Sequence, residues 1–203
     1  MTHVTPWQQR LAGGTEDIQA EVIDWYQNTT DGKAYIPQMI WGTLQTEAYA
    51  TVILQWVVNF LGTPDDVPAG VAKRMERQRV LRDGKHHYNV ILGEQALYTN
   101  VGGPAVMREQ MERLLADIDL PSLSLGITPR AAPLHTLPEG AFNIYGGGRA
   151  HVELVSSGVT FTDPTEVALH EKAFDLLRQS AAYGKEARDL ITQARDFWRL
   201  AAA

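Results

Sequence analysis

The chain contains no cysteine among its 203 residues. Disulfide bonds and thiolate metal sites are therefore excluded, because both need the cysteine sulfur. The N-terminal segment also lacks the basic start and the apolar core of a secretory signal peptide. Both absences are compatible with a reducing compartment, and we expect a cytoplasmic protein.

Basic residues are fewer than acidic ones, and the formal net charge is −6. Such a chain has no general electrostatic attraction for nucleic acid or for an anionic membrane surface. The uncharged run at residues 48–64 is short for a bilayer crossing and is interrupted by Gln55 and Asn59. We therefore expect no nucleic-acid partner and no membrane partner.

The sequence also lacks the motifs of cofactor-dependent enzymes. Glycine-rich stretches occur at residues 100–103 and 145–149, but neither has the spacing or the strand–helix context of a phosphate-binding or dinucleotide-binding loop. No Ser-His-Asp set, metal-binding helix or kinase signature can be assembled. We expect no cofactor and no bound metal.

Hydrophobic periodicity predicts one domain of the α+β class that includes all 203 residues. An N-terminal arm at 1–14 precedes a helical part at 15–84. A mainly β part at 85–162 follows, and helices return at 163–203. The expected architecture is N-terminal helices, a small antiparallel sheet and two C-terminal helices.

Four motifs then follow one another in an order that resembles a known family. They are LQTEAYA at 44–50, ERQRVL at 76–81, ILGEQALYTNVGGPAVMREQMERLL at 91–115 and EGAFNIY at 139–145. Together they are similar to the C-terminal domain of actinobacterial XRE-type, antitoxin-like helix-turn-helix regulators. The resemblance extends over roughly residues 16–195.

The resemblance implies a regulatory origin. In that family the domain follows a helix-turn-helix module, and it is treated as a sensing or interaction domain, often encoded beside a small acidic or neutral partner protein. Such a module needs at least two helices and a supporting bundle. Here the N-terminal arm contains Pro6, Gly13 and Gly14, so we expect no DNA-binding module and no reading of DNA in the family's way.

The sequence departs from the family at one turn. The family usually has Ile or Val followed by Pro-Gly-Leu-Leu-Gln-Thr, whereas residues 40–46 read IWGTLQT. Trp41 stands in place of the proline and Thr43 in place of a leucine. These two side chains could line a pocket for an apolar or aromatic ligand, or Trp41 could fill core space. Tyr98 replaces a residue that is often basic in the family.

Aromatic residues are frequent in the helical part of the chain. Tyr49 and Trp56 are seven residues apart on one predicted helix, and therefore on the same face. This spacing suits either the wall of a cavity or a seam between helices. The candidate ligand-binding residues are Trp41, Thr43, Tyr49, Trp56 and Tyr98.

Three titratable residues are candidates for proton transfer. His151 and Glu153 alternate on a predicted strand and share a face, so they could form an acid–base pair, or two ligands of a metal that needs a third. A structural or surface pair is the favoured alternative. Glu94 begins a short helix, where it either satisfies backbone donors or, facing a cavity, acts as a general acid.

Two functional hypotheses remain. The first is a stand-alone domain, derived from a transcriptional regulator and not itself DNA-binding, that binds a small apolar or aromatic molecule or a small partner protein. The second is a cofactor-independent enzyme of specialised metabolism, a cyclase, isomerase or dehydratase with an aromatic-lined pocket. The family resemblance favours binding. A homodimer is a further alternative for its assembly.

Overall fold

Seven strands form one mixed sheet in the part of the chain that the structure describes. The structure is a computed structural model and describes residues 1–137, 140–146 and 148–201. The strands are β1 (Thr2–Pro6), β2 (Asp31–Ile36), β3 (His87–Gly93), β4 (Leu123–Thr128), β5 (Phe142–Tyr145), β6 (Arg149–Glu153) and β7 (Ser157–Phe161). Across the sheet they lie in the order β1-β7-β6-β5-β2-β3-β4.

The helices are distributed over both faces of this sheet. They are α1 (Trp7–Arg10), α2 (Glu16–Gln27), α3 (Glu47–Leu61), α4 (Val67–Arg77), α5 (Pro104–Asp117), α6 (Pro164–Arg178) and α7 (Gly184–Ala201). Short 3-10 turns lie at Gly42–Leu44, Gln78–Leu81 and Glu94–Leu97. The expected α+β class and the two C-terminal helices are confirmed.

Two of the six strand pairings of the sheet are parallel, and the other four are antiparallel. β2, β3 and β4 run in the same direction, whereas β5, β6, β7 and β1 pair in antiparallel fashion. A parallel pair needs a long crossover connection. Here α3 and α4 connect β2 to β3, and α5 connects β3 to β4. The mixed sheet is therefore larger than the small antiparallel sheet that the sequence predicted.

The two faces of the sheet bury different helices, because successive side chains of a strand point in opposite directions. Ala34 and Val90 belong to a core that includes residues of α5 and α7. Tyr35 and Ile91, the next residues in the same two strands, pack instead into a smaller core with α6. The central strands are thus covered on both sides.

Two strands lie in regions that were expected to contain none. The arm at 1–14 forms β1, which pairs with β7 at the edge of the sheet. The region 15–84, expected to be helical, also contains β2 between its first two long helices. β2 is a central strand bonded to both β3 and β5. Pairing partners distant in sequence stabilise both strands, and local periodicity does not record such partners.

The N-terminal end of α2 is held by Asp66, the residue just before α4. Thr15 precedes the helix but makes no side-chain cap hydrogen bond to it. Instead the Asp66 carboxylate accepts hydrogen bonds from the backbone N–H groups of Thr15 and Glu16, each at 2.7 Å, and from the Thr15 hydroxyl. Gly14, with φ of +110°, passes so close to Asp66 that a Cβ there would lie 2.4 Å from its carboxylate oxygen.

None of the described helices combines the length and the apolar character that a bilayer crossing requires.

Replacing Asp66 with asparagine should lower the free energy of unfolding by about 1 kcal/mol, because the carboxylate supplies the cap of α2. Burial opposes ionisation of Asp66, but the hydrogen bonds from Thr15 and Glu16 outweigh it and hold its pKa below the usual value. The ionised form therefore stabilises the fold above the pKa of the unfolded chain, and this contribution disappears as the pH falls through the folded pKa.

Denaturant unfolding at pH 7 and at pH 3 measures this effect. The exposed neighbour Asp65 provides the matched control, and Asp65→Asn should change stability little. Equal stabilities of the two variants at pH 7 would show that Asp66 is not the cap.

Candidate ligand-binding site

A cavity of about 160 Å³ lies between α2, α4, the turn before α3 and the antiparallel part of the sheet. We call it the inner chamber. Its floor consists of Asn143 and Tyr145 of β5 and His151 and Glu153 of β6. These four alternate with Phe142, Ile144, Ala150 and Val152, which pack on the opposite face around α6. The strand alternation thus presents polar and aromatic side chains to the chamber.

One face of α2 forms a wall of the inner chamber. The wall residues recur at helical spacing, so that one stripe of the helix faces the cavity. They are Ile18, Gln19, Val22, Trp25 and Tyr26.

The turn between β2 and α3 closes another side of the chamber. The Trp41 indole N–H donates to Oδ1 of Asn143 at 3.0 Å. Its ring packs on those of Tyr26 and Tyr88, with centroids 5.7 and 5.4 Å away. Trp41 is 3% exposed, belongs to the main core and also lines the chamber. Trp41 therefore fills core space and also forms part of the cavity wall, so the two alternatives predicted for it both apply.

Two arginines of α4 reach the chamber from the opposite side. Val67, Val71, Arg74 and Arg77 follow at intervals of three or four residues, and all four are buried. Arg74 and Arg77 are only 8% and 5% exposed. Neither arginine was among the functional residues predicted from the sequence. Their helical spacing from Val67 and Val71 could have indicated them, because an arginine on the apolar face of a helix needs a buried partner.

Neutral oxygen atoms hold the two guanidinium groups. Gln19 Oε1 accepts from Nε of Arg74 at 3.2 Å and from Nη1 of Arg77 at 3.3 Å. Gln45 Oε1 accepts from Nη1 of Arg74 at 2.6 Å, and the Thr43 hydroxyl accepts from Nε of Arg77 at 3.1 Å. Within the described residues, neither guanidinium has an Asp or Glu within 4 Å.

The charge of Arg74 persists at neutral pH. Burial, together with repulsion from Arg77, lowers the pKa of Arg74 to about 9, which leaves the guanidinium protonated at pH 7. The Arg77 guanidinium also lies over the Tyr26 ring, 5.0 Å from its centroid. Gly42 permits its position, since a Cβ at residue 42 would lie 2.6 Å from Nη2 of Arg77.

A second cavity of about 260 Å³ adjoins the inner chamber. We call it the outer vestibule. Most of its lining is apolar, from α1, α2, α3 and the turn after β6, and Phe60, Leu154 and Val155 at this surface are exposed. The two cavities share the following lining residues: Ile18, Gln19, Met39, Ile53, Arg74 and Glu153. The two cavities are therefore adjacent, the inner one polar and aromatic and the outer one apolar.

His151 is a buried, neutral residue of the chamber floor. Its Nδ1 lies 3.0 Å from the Thr160 hydroxyl, and its ring packs edge-on against Trp25 at 5.3 Å. Burial, assisted by repulsion from Arg10 and Arg149, lowers the pKa of His151 to about 4. The imidazole is thus uncharged at neutral pH, and the charges that act on it most strongly are those of two cations, Arg10 and Arg149.

The other predicted residues lie outside the inner chamber. Thr43 is buried and bonded to Arg77, and the Tyr49 hydroxyl accepts from the backbone N–H of Ile40 at 3.2 Å. Trp56 is 48% exposed, on the same helix as Tyr49 but nearly two turns further on. Tyr98 packs against a residue of α7. The structure therefore brings together Trp41, His151 and Glu153 and separates the remaining candidates from them.

Glu94 lies at the end of β3, away from the chamber. Its Oε2 accepts from the backbone N–H of Arg130 at 2.8 Å, and its Oε1 lies 3.6 Å from Nε of the same residue. The carboxylate therefore satisfies a backbone donor, although not one of its own helix. In the described ranges, no group of three His, Asp or Glu side chains is placed to hold a metal ion.

The family described as "Domain of unknown function (DUF5753)" matches residues 27–193. The chain belongs to this family. The DUF5753 match includes the turn, α4 and the sheet that form the inner chamber, whereas nearly all of α2 precedes it. No curated protein matches the chain.

The structural comparison matches this DUF5753 chain to two solved structures, each at 10% sequence identity. One is TrmBL2, an archaeal chromatin protein described as showing a novel mode of DNA binding, with a TM-score of 0.39 over 90% of this chain and 53% of TrmBL2. This chain thus spans about half the length of TrmBL2. The other is NucT from Helicobacter pylori, with a TM-score of 0.43 over 91% of this chain and 98% of NucT.

The prediction that the chain has no nucleic-acid partner is wrong, because one of the two matched structures is of a protein described as DNA-binding. The exclusion rested on the net charge of −6, a sum over the chain that does not report where cations gather. Arg10, Arg74 and Arg77 all line the inner chamber. At TM-scores below 0.5 the overlaps favour no particular partner.

Trp41→Phe should lower the free energy of unfolding by about 1–3 kcal/mol, because it leaves Asn143 Oδ1 without its donor. The matched control is Trp56→Phe, which alters an exposed indole and should change stability by about 0.5 kcal/mol or less. Denaturant unfolding of both variants measures the difference. Similar losses of unfolding free energy in the two variants would mean that the hydrogen bond of the buried indole N–H does not stabilise the fold.

His151 should make folding dependent on pH. Its pKa is about 6.5 in an unfolded chain and about 4 in the fold, so unfolding takes up a proton between these values. Stability should therefore be complete above pH 6.5 and decrease as the pH falls through this interval. His151→Gln should flatten the change measured between pH 7 and pH 5, whereas His135→Gln, at an exposed site, should not. An unchanged slope in His151→Gln would refute the assignment.

Proposed function

We propose that this protein is a small-molecule-binding domain and that the ligand occupies the inner chamber and the outer vestibule. The observation that supports the proposal is the adjacency of the two cavities, which share six lining residues. Together they reach the lower part of the range of about 300–1,000 Å³ that is typical of ligand sites. The inner part offers aromatic walls and hydrogen-bond donors, and the outer part offers apolar surface.

We further propose a regulatory origin for this binding activity. Membership of DUF5753 agrees with the resemblance to the C-terminal domain of actinobacterial XRE-type regulators that the ordered motifs indicate. A sensing role in such regulators requires a site that discriminates among small molecules. A cavity between helices and sheet meets this requirement, because ligand contacts on α2, α4 and the Trp41 turn would couple three separate segments of the chain.

The enzymatic alternative has weaker support from the geometry. Of the three proton carriers that the sequence suggested, Glu94 interacts with Arg130 outside the chamber. His151, with a pKa of about 4, is a poor base at neutral pH. Glu153 alone combines a carboxylate with a position at the junction of the two cavities. Binding therefore accounts for more of the site than proton transfer does.

A neutral aromatic probe, N-phenyl-1-naphthylamine, tests the proposed binding activity, because its fluorescence rises in apolar surroundings. The wild-type protein should bind it saturably with one site per chain. Ile53→Trp should weaken binding at least tenfold, since Ile53 lies where the two cavities meet. Thr51→Trp, an exposed position on the same helix, is the control and should leave binding unchanged.

The absence of saturable binding by the wild-type protein would contradict the proposed function. Binding that survives Ile53→Trp unchanged would place the probe elsewhere on the molecule and would contradict the proposed site. Circular dichroism of both variants establishes that each retains the fold.

A further inference from the structure

The two buried arginines of the chamber differ in their partners from Arg82 and Arg113. Arg82 and Arg113 both form ion pairs with the buried carboxylate of Asp117. Arg74 and Arg77 are more deeply buried, yet their described acceptors are the neutral oxygens of Gln19, Gln45 and Thr43. Glu153 attracts the charge of Arg74 from more than 4 Å away, but two adjacent buried cations without a carboxylate in direct contact raise the free energy of the empty site.

Each guanidinium of this pair has one nitrogen without a described acceptor, and both residues line the inner chamber. Hydrogen bonds to the described residues use Nε and Nη1 of each guanidinium and leave Nη2 of each without an acceptor. Arg74 lines both cavities, whereas Arg77 lines only the inner chamber. Gly42, which also lines the chamber, has no side chain, and Nη2 of Arg77 packs against it. Planar guanidinium groups with free N–H donors are suited to bind a carboxylate.

The surrounding charges favour the same kind of ligand. Arg10 and Arg149 lie over the Trp25 ring of the chamber wall, with centroid distances of 5.1 and 4.6 Å. Arg10 is paired with Glu21. Glu153 is the acidic residue among those that line the chamber, and it lies more than 4 Å from either buried guanidinium. An anion entering the chamber therefore meets an excess of positive charge in a protein whose net charge is −6.

We propose that the ligand is an amphiphilic carboxylate, with its head group bound by Arg74 and Arg77 and its apolar part in the outer vestibule. This inference rests on the proposed function, because it assigns the chemistry of the ligand to the same two cavities. The apolar vestibule directly adjoins Arg74. Head-group recognition and tail burial therefore take place in a single molecule that extends across the junction.

Three probes with the same chain and different head groups test the proposal: decanoate, decan-1-ol and decylamine. Each is measured at pH 7.5 by displacement of N-phenyl-1-naphthylamine from the wild-type protein. Decanoate should bind at least tenfold more tightly than decan-1-ol, and decylamine should bind most weakly, because the chamber attracts anions and repels cations. Equal binding of decanoate and decan-1-ol would overturn the inference while leaving the proposed function intact.

Variants of Arg74 identify the group responsible. Arg74→Gln should abolish the preference for decanoate over decan-1-ol but retain binding of decan-1-ol, whose chain still occupies the vestibule. Arg74→Lys keeps the charge and should retain part of the preference. Arg79→Gln, which removes an exposed arginine just after the same helix, is the matched control and should behave as the wild type.

The ratio of the two affinities within each variant is the decisive measurement, because a general loss of folded protein affects both probes equally. A preference for decanoate that persists in Arg74→Gln would overturn the assignment of the head group to this residue. Failure of N-phenyl-1-naphthylamine itself to bind would overturn the proposed function as well.

Discussion

The network around Arg74 and Arg77 is the interaction on which the site depends. Gln19 from α2 and Gln45 from the turn both accept hydrogen bonds from arginines of α4, so three separate segments are fixed around one cavity. Replacement of buried charged groups by well-packed apolar residues is often neutral or stabilising. Two buried cations held by neutral acceptors are therefore unfavourable as a purely structural device, and this cost is the basis on which we proposed a carboxylate ligand.

The sequence predicted the outline of this arrangement but not its chemical centre. The substituted turn directed attention to Trp41, which does line the chamber, and strand alternation placed His151 and Glu153 on one face. Arg74 and Arg77 were missed because charged residues on an amphipathic helix are usually solvated. Burial of these two residues results from the packing of α2 and the turn against α4, contacts between segments that local periodicity does not reveal.

A similar limit applies to the fold. The C-terminal helices were predictable because Asp163 and Pro164 give α6 a clear start, and Asp163 indeed caps it. β2 escaped prediction because six residues between two strong helical signals carry little pattern of their own. Without β2 the sheet topology could not be predicted, since β2 pairs with the parallel strand β3 on one side and with the antiparallel strand β5 on the other. A missed central strand therefore conceals the architecture more than a missed helix would.

The hydrogen bond between Trp41 and Asn143 connects residues that are 102 positions apart in the chain. Contacts of such long sequence separation require closure of a large loop and generally slow folding. The floor of the chamber comes from the antiparallel strands β5 and β6, whereas its walls come from the first 77 residues. The cavity therefore forms only after the two ends of this loop have packed together. A ligand that binds there would protect completely folded chains from proteolysis and leave partly folded chains unprotected.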